Sequence, residues 1–311
     1  MTHNSHTSSD SHKELDEFGE KYLWNLVRDW KDPIKLPKVD AIKLDRRRTI
    51  FVVRDDLTKF GTKARAGSAA LFQPEYRETK TIVYVAPRVG WAPMSLAKLC
   101  ADTKRELILF APASAKPSLH QLTAYNFWAD LRFVRVAAMP NLQRMAKQFA
   151  EDFGYTFFPL GLDVPAAVAG IGKTARRLAD REIGDFKKVK EFWTVISTGV
   201  LSRGLQLAWP EAKPFAVAVA RNIHDGEKGK AEIFSHPLAF TQNVKSKDAP
   251  PFPSVMSYDA KAWSFVCEHA SDGAWFWNVA AEPPDNLGVR EGAAELRSNV
   301  DWGDMSAFDR P

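Results

Sequence analysis

Lys63 follows a Gly-Thr pair in the stretch KFGTKARAGSAALF, Lys59 to Phe72. The small residues after it predict a helix with the lysine at its mouth. A cation is locally misplaced there, because the unpaired N–H groups of a first turn favour negative charge. Two readings are open. Either the side chain runs into water, or it is held with a lowered pKa as a nucleophilic amine.

A second stretch, EFWTVISTGVLSRGLQLAW, takes an apolar strand into Ser197-Thr198-Gly199 and opens a helix near Ser202. Backbone N–H groups, hydroxyls and a helix dipole converge at such a turn, which makes a phosphate cradle across Thr198, Gly199, Val200, Leu201 and Ser202. A tight turn with no ligand would use the same small residues. A lysine together with a phosphate cradle is what pyridoxal 5'-phosphate requires: covalent capture through the amine and anchoring through the phosphate. Parallel sheets bring such loops together at the carboxyl edge of their strands.

Other motifs are weaker. GIGKTARR resembles the end of a P-loop, but the leading glycine would fall on Ala167, and the stretch lies inside a helical pattern. It reads as a basic helix face. His3, His6 and His12 sit in a polar, low-complexity start and read as a floppy tail, not as metal ligands. The run Arg46-Arg47-Arg48 reads as the solvated approach to a strand.

The chain around these residues has 311 positions and is 45% hydrophobic, enough for a sizeable core. Its formal charge of +5 permits a polyanionic partner without requiring one. Two cysteines and no CxxC point to a reducing, cytoplasmic setting, and no long apolar run points to a membrane. An amphipathic helix is expected over Glu14–Trp30. Strands and helices then alternate: TIFVVRD, KARAGSAALF, TIVYVA, WAPMSLAKLCADT, ELILFAP, SLHQLTAYNFWADL, FVRVAA, LQRMAKQFAEDFG, YTFFPL, VAGIGKTARRLADREIG, EFWTVIST, LSRGLQLAW, PFAVAVAR, DAKAWSFVCEHA and AWFWNVAA. That order predicts an α/β fold with largely parallel sheets and helices on both faces. Asn278 and Glu282, at the end of the last strand, are the polar candidates to face a bound ring nitrogen.

The order of parts resembles the tryptophan-synthase-β-like, fold type II, pyridoxal-phosphate enzymes, nearest the aminocyclopropane-carboxylate deaminase and D-cysteine desulfhydrase branch. VVRDDLTKFGTKARAGSAAL is similar to that branch's strand, charged turn and lysine segment; FFPLGLDVPAAVAGIGKTARRLA resembles its glycine-bearing segment before a long helix. The resemblance spans about residues 48 to 282. It implies a two-domain fold with a large cofactor-binding domain from 14–78 and 155–290, a small domain from 79–154, and tails at 1–13 and 291–311. It implies Lys63 as the cofactor lysine and a homodimer.

Two departures bear on the reaction. Where the branch carries a Ser-Gly-Asn-His-Gly loop for the substrate carboxylate, this chain has Val89-Gly90-Trp91-Ala92-Pro93, without hydroxyl or amide. Where the phosphate loop usually has a threonine, it has Leu201. A decarboxylase benefits from a poorly solvated carboxylate, so decarboxylation or another lyase step is expected over ordinary deamination. Ten tryptophans and the basic balance leave room for an aminoacyl-modified nucleotide or nucleic acid as substrate, beside a free amino-acid-like molecule. Deamination of a free small amino acid and a non-catalytic binding role are the alternatives.

Overall fold

The structure, a computed structural model, describes residues 19–58, 60–113, 117–135, 138–219 and 223–283. Both expected tails, the three tail histidines and the start of the expected first helix fall outside these ranges. Residues 19–26 of that helix are helical, and the helix ends well before Trp30.

Among the described residues, ten strands form two sheets. The larger has the order β1 (Lys38–Lys43), β2 (Thr49–Arg54), β10 (Trp275–Asn278), β7 (Glu191–Ile196), β8 (Lys213–Ala218), β9 (Glu232–Ser235). Only β1 runs antiparallel to its neighbour. The smaller sheet, β5 (Asp130–Val134), β4 (Glu106–Pro112), β3 (Thr81–Val85), β6 (Thr156–Phe157), is parallel throughout. Strands β3 and β7 are buried along their whole length, as expected for parallel strands covered by helices on both faces.

Two elements carry no clear signature in the sequence. The edge strand β1 has Lys38, Asp40 and Lys43 with no apolar run to announce it, and β9 is four residues inside a loop-rich stretch. YTFFPL supplies only a two-residue strand, because the chain turns sharply at Pro159 into Leu160–Leu162.

The helix Pro165–Ile183 packs against the helices Gly61–Leu71 and Val200–Ala208. The glycines of VAGIGKT serve that packing: a Cβ on Gly170 would stand 2.5 Å from the Ala69 Cβ. Lys173 donates to the carbonyls of Val27, Arg28 and Trp30, so it closes the end of the first helical segment. Arg48 likewise donates to the carbonyls of Cys267 and Ala270.

Candidate active site

The lysine helix, Gly61–Leu71, is fixed from behind. Arg65 is buried between Asp32 and Asp55, with its Nη2 3.2 Å from Asp55. Asp55 also accepts from Thr58 Oγ1 at 2.5 Å and Thr62 Oγ1 at 2.6 Å, and the Trp277 indole donates to Thr62 at 3.0 Å. The charged turn after β2 is therefore the clamp of the helix start, and it aims Lys63 away from the clamp.

Lys63 points into a cavity of about 330 Å3, where its Nζ donates to the Gly161 carbonyl at 3.0 Å. Desolvation pushes its amine from 10.5 down to about 8, against the opposing pull of Asp163 and Asp259. Gly161 lies in a tight turn with φ +77°, followed by Leu162 at φ +61°. Its N–H donates to the Tyr84 hydroxyl at 2.8 Å, and a Cβ in its place would stand 2.1 Å from Thr198 Oγ1. Only glycine allows the lysine, Tyr84 and the Thr198 turn to meet here.

Ser197 and Thr198 line the cavity, and Ser197 Oγ lies 3.1 Å from the Tyr258 hydroxyl. Gly199 caps the helix Val200–Ala208 in the left-handed region, where a Cβ would collide with the Glu227 carbonyl. The first intrahelical bond, Arg203 N–H to Gly199 O, leaves the N–H groups of Val200, Leu201 and Ser202 ahead of it. Val200, Leu201 and Ser202 are buried and, like Gly199, do not line the cavity.

Val89, Gly90, Trp91, Ala92 and Pro93 all line the opposite wall. Trp91 opens the helix Trp91–Asp102, which has no side-chain cap, and Pro93 removes one N–H from its first turn. The Trp91 indole N–H is buried without a partner.

Asn278 does not reach the cavity. Its amide donates to Asp56 and to the Pro253 carbonyl and accepts from Ser254, so all its groups are engaged. Strand alternation explains this: Trp277 faces the lysine helix, and Asn278 shares the other face with Phe276. Glu282 accepts from the Met256 N–H instead.

The acid at the cavity is Asp259, which no sequence motif singles out. It is fully buried, neither carboxylate oxygen has a hydrogen-bond partner, and it lines the same cavity as Lys63. Burial raises its carboxyl well above the usual range; the backbone N–H groups of Val279 and Ala280, close to the carboxylate but outside hydrogen-bond geometry, pull the other way. Its turn, Asp259–Ala262, coincides with the expected start of the next helix, where an acid is an ordinary helix opening. The Tyr258-Asp259 pair, a few residues after the Pro-rich stretch DAPPFPS at 248–254, is the one available sign. Among the described residues, no group of three metal-ligating side chains is assembled, and no helix is long and apolar enough to cross a membrane.

No protein-family profile and no curated protein matches the chain. Solved structures do. An ACC deaminase homologue shares 14% identity over 89% of this chain and 98% of its own, with a TM-score of 0.72. Escherichia coli diaminopropionate ammonia lyase shares 12% over 94% and 93%, with a TM-score of 0.62. Maize serine racemase shares 11% over 86% and 94%, with a TM-score of 0.59. The chain has the fold of the fold type II pyridoxal-phosphate enzymes, and pyridoxal 5'-phosphate is the cofactor to be expected on it. The residues present fit that group: a desolvated lysine, the Ser197–Thr198 turn and a buried acid without a hydrogen-bond partner line one cavity.

Proposed function

We propose that the protein is a pyridoxal-phosphate-dependent lyase acting on an amino-acid-like substrate, with decarboxylation as the favoured branch. The observation that carries the proposal is that Lys63 and Asp259, whose carboxylate has no hydrogen-bond partner, line one cavity. Lys63 would hold the cofactor aldehyde, the Ser197–Thr198 turn and the following helix start its phosphate, and Asp259 its ring nitrogen. When bound, the cofactor supplies an electron sink for negative charge at the substrate's α-carbon.

The chain's own groups govern the remaining chemistry. An amine with a pKa of about 8 is substantially neutral near pH 8, so Lys63 can both capture an aldehyde and move a proton. Burial holds the Asp259 carboxyl toward its neutral form against the pull of Lys63, so it can meet a ring nitrogen as a proton donor. Val89, Trp91, Ala92 and Pro93 offer a carboxylate only one side-chain donor, the indole N–H, in an apolar wall. A carboxylate held there is poorly solvated and favours a transition state in which its charge is lost.

The likeness in fold to an ACC deaminase homologue and a diaminopropionate ammonia lyase supports a second reading, release of ammonia from a free amino acid. A nucleotide-attached substrate draws support from the weak carboxylate grip. It draws less from the tryptophans, since Trp30, Trp193, Trp209, Trp263, Trp275 and Trp277 are buried in the core. The test is a panel of amino acids and aminoacyl-modified nucleosides, assayed in parallel for CO2 and for ammonia or keto acid. CO2 release supports the favoured branch; ammonia or keto acid without CO2 overturns it.

A further inference from the structure

Lys261 is a buried cation that the proposed reaction does not use. Its side chain is 0% exposed, and it lies two residues beyond Asp259 in the same short turn. Its Nζ donates to the carbonyl of Ala239 at 2.8 Å and approaches that of Phe240 at 3.3 Å. No carboxylate among the described residues forms an ion pair with it, and burial pushes its amine down to about 8. Enclosing an ammonium with only carbonyl oxygens for company is costly, so the position calls for a function that a hydrocarbon side chain would not supply.

The segment that it grips explains the function. Residues 236–243 form a loop between β9 and the Pro-rich stretch. Within it the Gln242 N–H donates to the Ala239 carbonyl at 2.9 Å, and the Ala239 N–H to the Gln242 side chain at 2.9 Å. Ala239 is exposed, yet Phe240 turns inward, lines the Lys63 cavity, and packs edge-on against Tyr258 with centroids 6.1 Å apart. Tyr258, Asp259 and Phe240 all line that cavity, the first two at a short turn and Phe240 from the loop. Lys261 is the polar link between the two.

We propose that Lys261 is a positioning residue that fixes Phe240 as the size-setting wall of the substrate pocket. It does so by holding the backbone carbonyls of residues 239 and 240 against the turn that carries Asp259. The tether stands on this geometry alone; the consequence for substrate size rests on the function proposed above.

The experiment has two arms. Hydrogen exchange on the full chain without cofactor follows the Gln242 amide in the wild type and in Lys261→Met. The expected result is exchange faster by on the order of tenfold at Gln242, with the β7 amides unchanged. The second arm loads the protein with pyridoxal 5'-phosphate and titrates L-alanine and L-phenylalanine, followed by the visible spectrum. Lys261→Met should shift the affinity ratio toward phenylalanine by about fivefold, Phe240→Ala should do the same, and the double variant should match Phe240→Ala alone, because both substitutions remove one wall. Unchanged exchange at Gln242, or additive shifts in the double variant, would overturn the proposal. Lys261→Gln, too short to reach both carbonyls, replaces Lys261→Met should the latter not fold. Absence of a visible band in the loaded wild type would count against the proposed function, while the exchange arm would still decide the tether.

Discussion

The support behind Lys63 and the lining of the cavity are built on different principles. Behind Lys63, the polar groups are matched apart from Arg65 Nε: Asp55 serves Thr58, Thr62 and Arg65, and Trp277 donates to Thr62. In the cavity lining, Trp91 Nε1 and both oxygens of Asp259 are buried with no hydrogen-bond partner. A matched buried network gives a rigid scaffold, whereas an unmatched buried donor or acceptor costs stability. The molecule spends its hydrogen bonds on aiming the lysine and leaves open the groups that a ligand would complete.

That contrast can be broken on either side. The largest effect is expected at the lysine. Lys63→Ala should lower turnover by roughly 10^2 to 10^4-fold, the range for losing a positioned acid/base, and should abolish covalent cofactor capture; steady-state rates with added cofactor check it. Next is the scaffold. Asp55→Ala leaves the buried Arg65 short of one carboxylate and should cost about 3–5 kcal/mol in denaturant unfolding. In the cavity lining the pattern should invert. Asp259→Asn removes an acid without a hydrogen-bond partner, so unfolding stability should hold or rise, while cofactor affinity should fall by about 1.5–3 kcal/mol, as for a hydrogen bond to a charged group. Loss of stability with unchanged cofactor affinity would erase the contrast.

The pH dependence sharpens the same comparison. Free lysine titrates at 10.5 and Lys63 at about 8, so between these values the unfolded chain binds more protons than the folded one. Folding stability should therefore gain a contribution from Lys63 as the pH rises through that window. The rate of cofactor capture, which needs the neutral amine, should rise with a midpoint near 8, not near 10.5, when measured by stopped-flow absorbance. The smallest effect belongs to Trp91→Phe, which keeps an aromatic ring but loses the indole N–H and part of the ring volume. Substrate binding should weaken by about 1 kcal/mol, as measured by equilibrium titration.

Much of the molecule is legible in the sequence where local pattern and function coincide. The lysine segment announces itself because a cation at a helix mouth among small residues is locally unfavourable. The alternation of apolar strands with helices marks both sheets, since buried parallel strands must be apolar throughout. Asp259 is not legible in the same way. Its distinction is that no side chain hydrogen-bonds it, and the absence of such a partner is a property of three-dimensional packing. Asn278 shows the converse: it ends the expected strand, but the facing of a side chain depends on register against β2, which only the assembled sheet fixes. The strand β1 escapes a sequence reading because an edge strand can be charged and need not carry an apolar run.

The most direct test of the account is to add pyridoxal 5'-phosphate to the purified protein, reduce with borohydride, and map the peptides. The account predicts one pyridoxyl group, on Lys63, and its loss in Lys63→Ala with no label moving elsewhere. A label on Lys173, Lys261 or any other lysine, or no label on a folded protein, would contradict it.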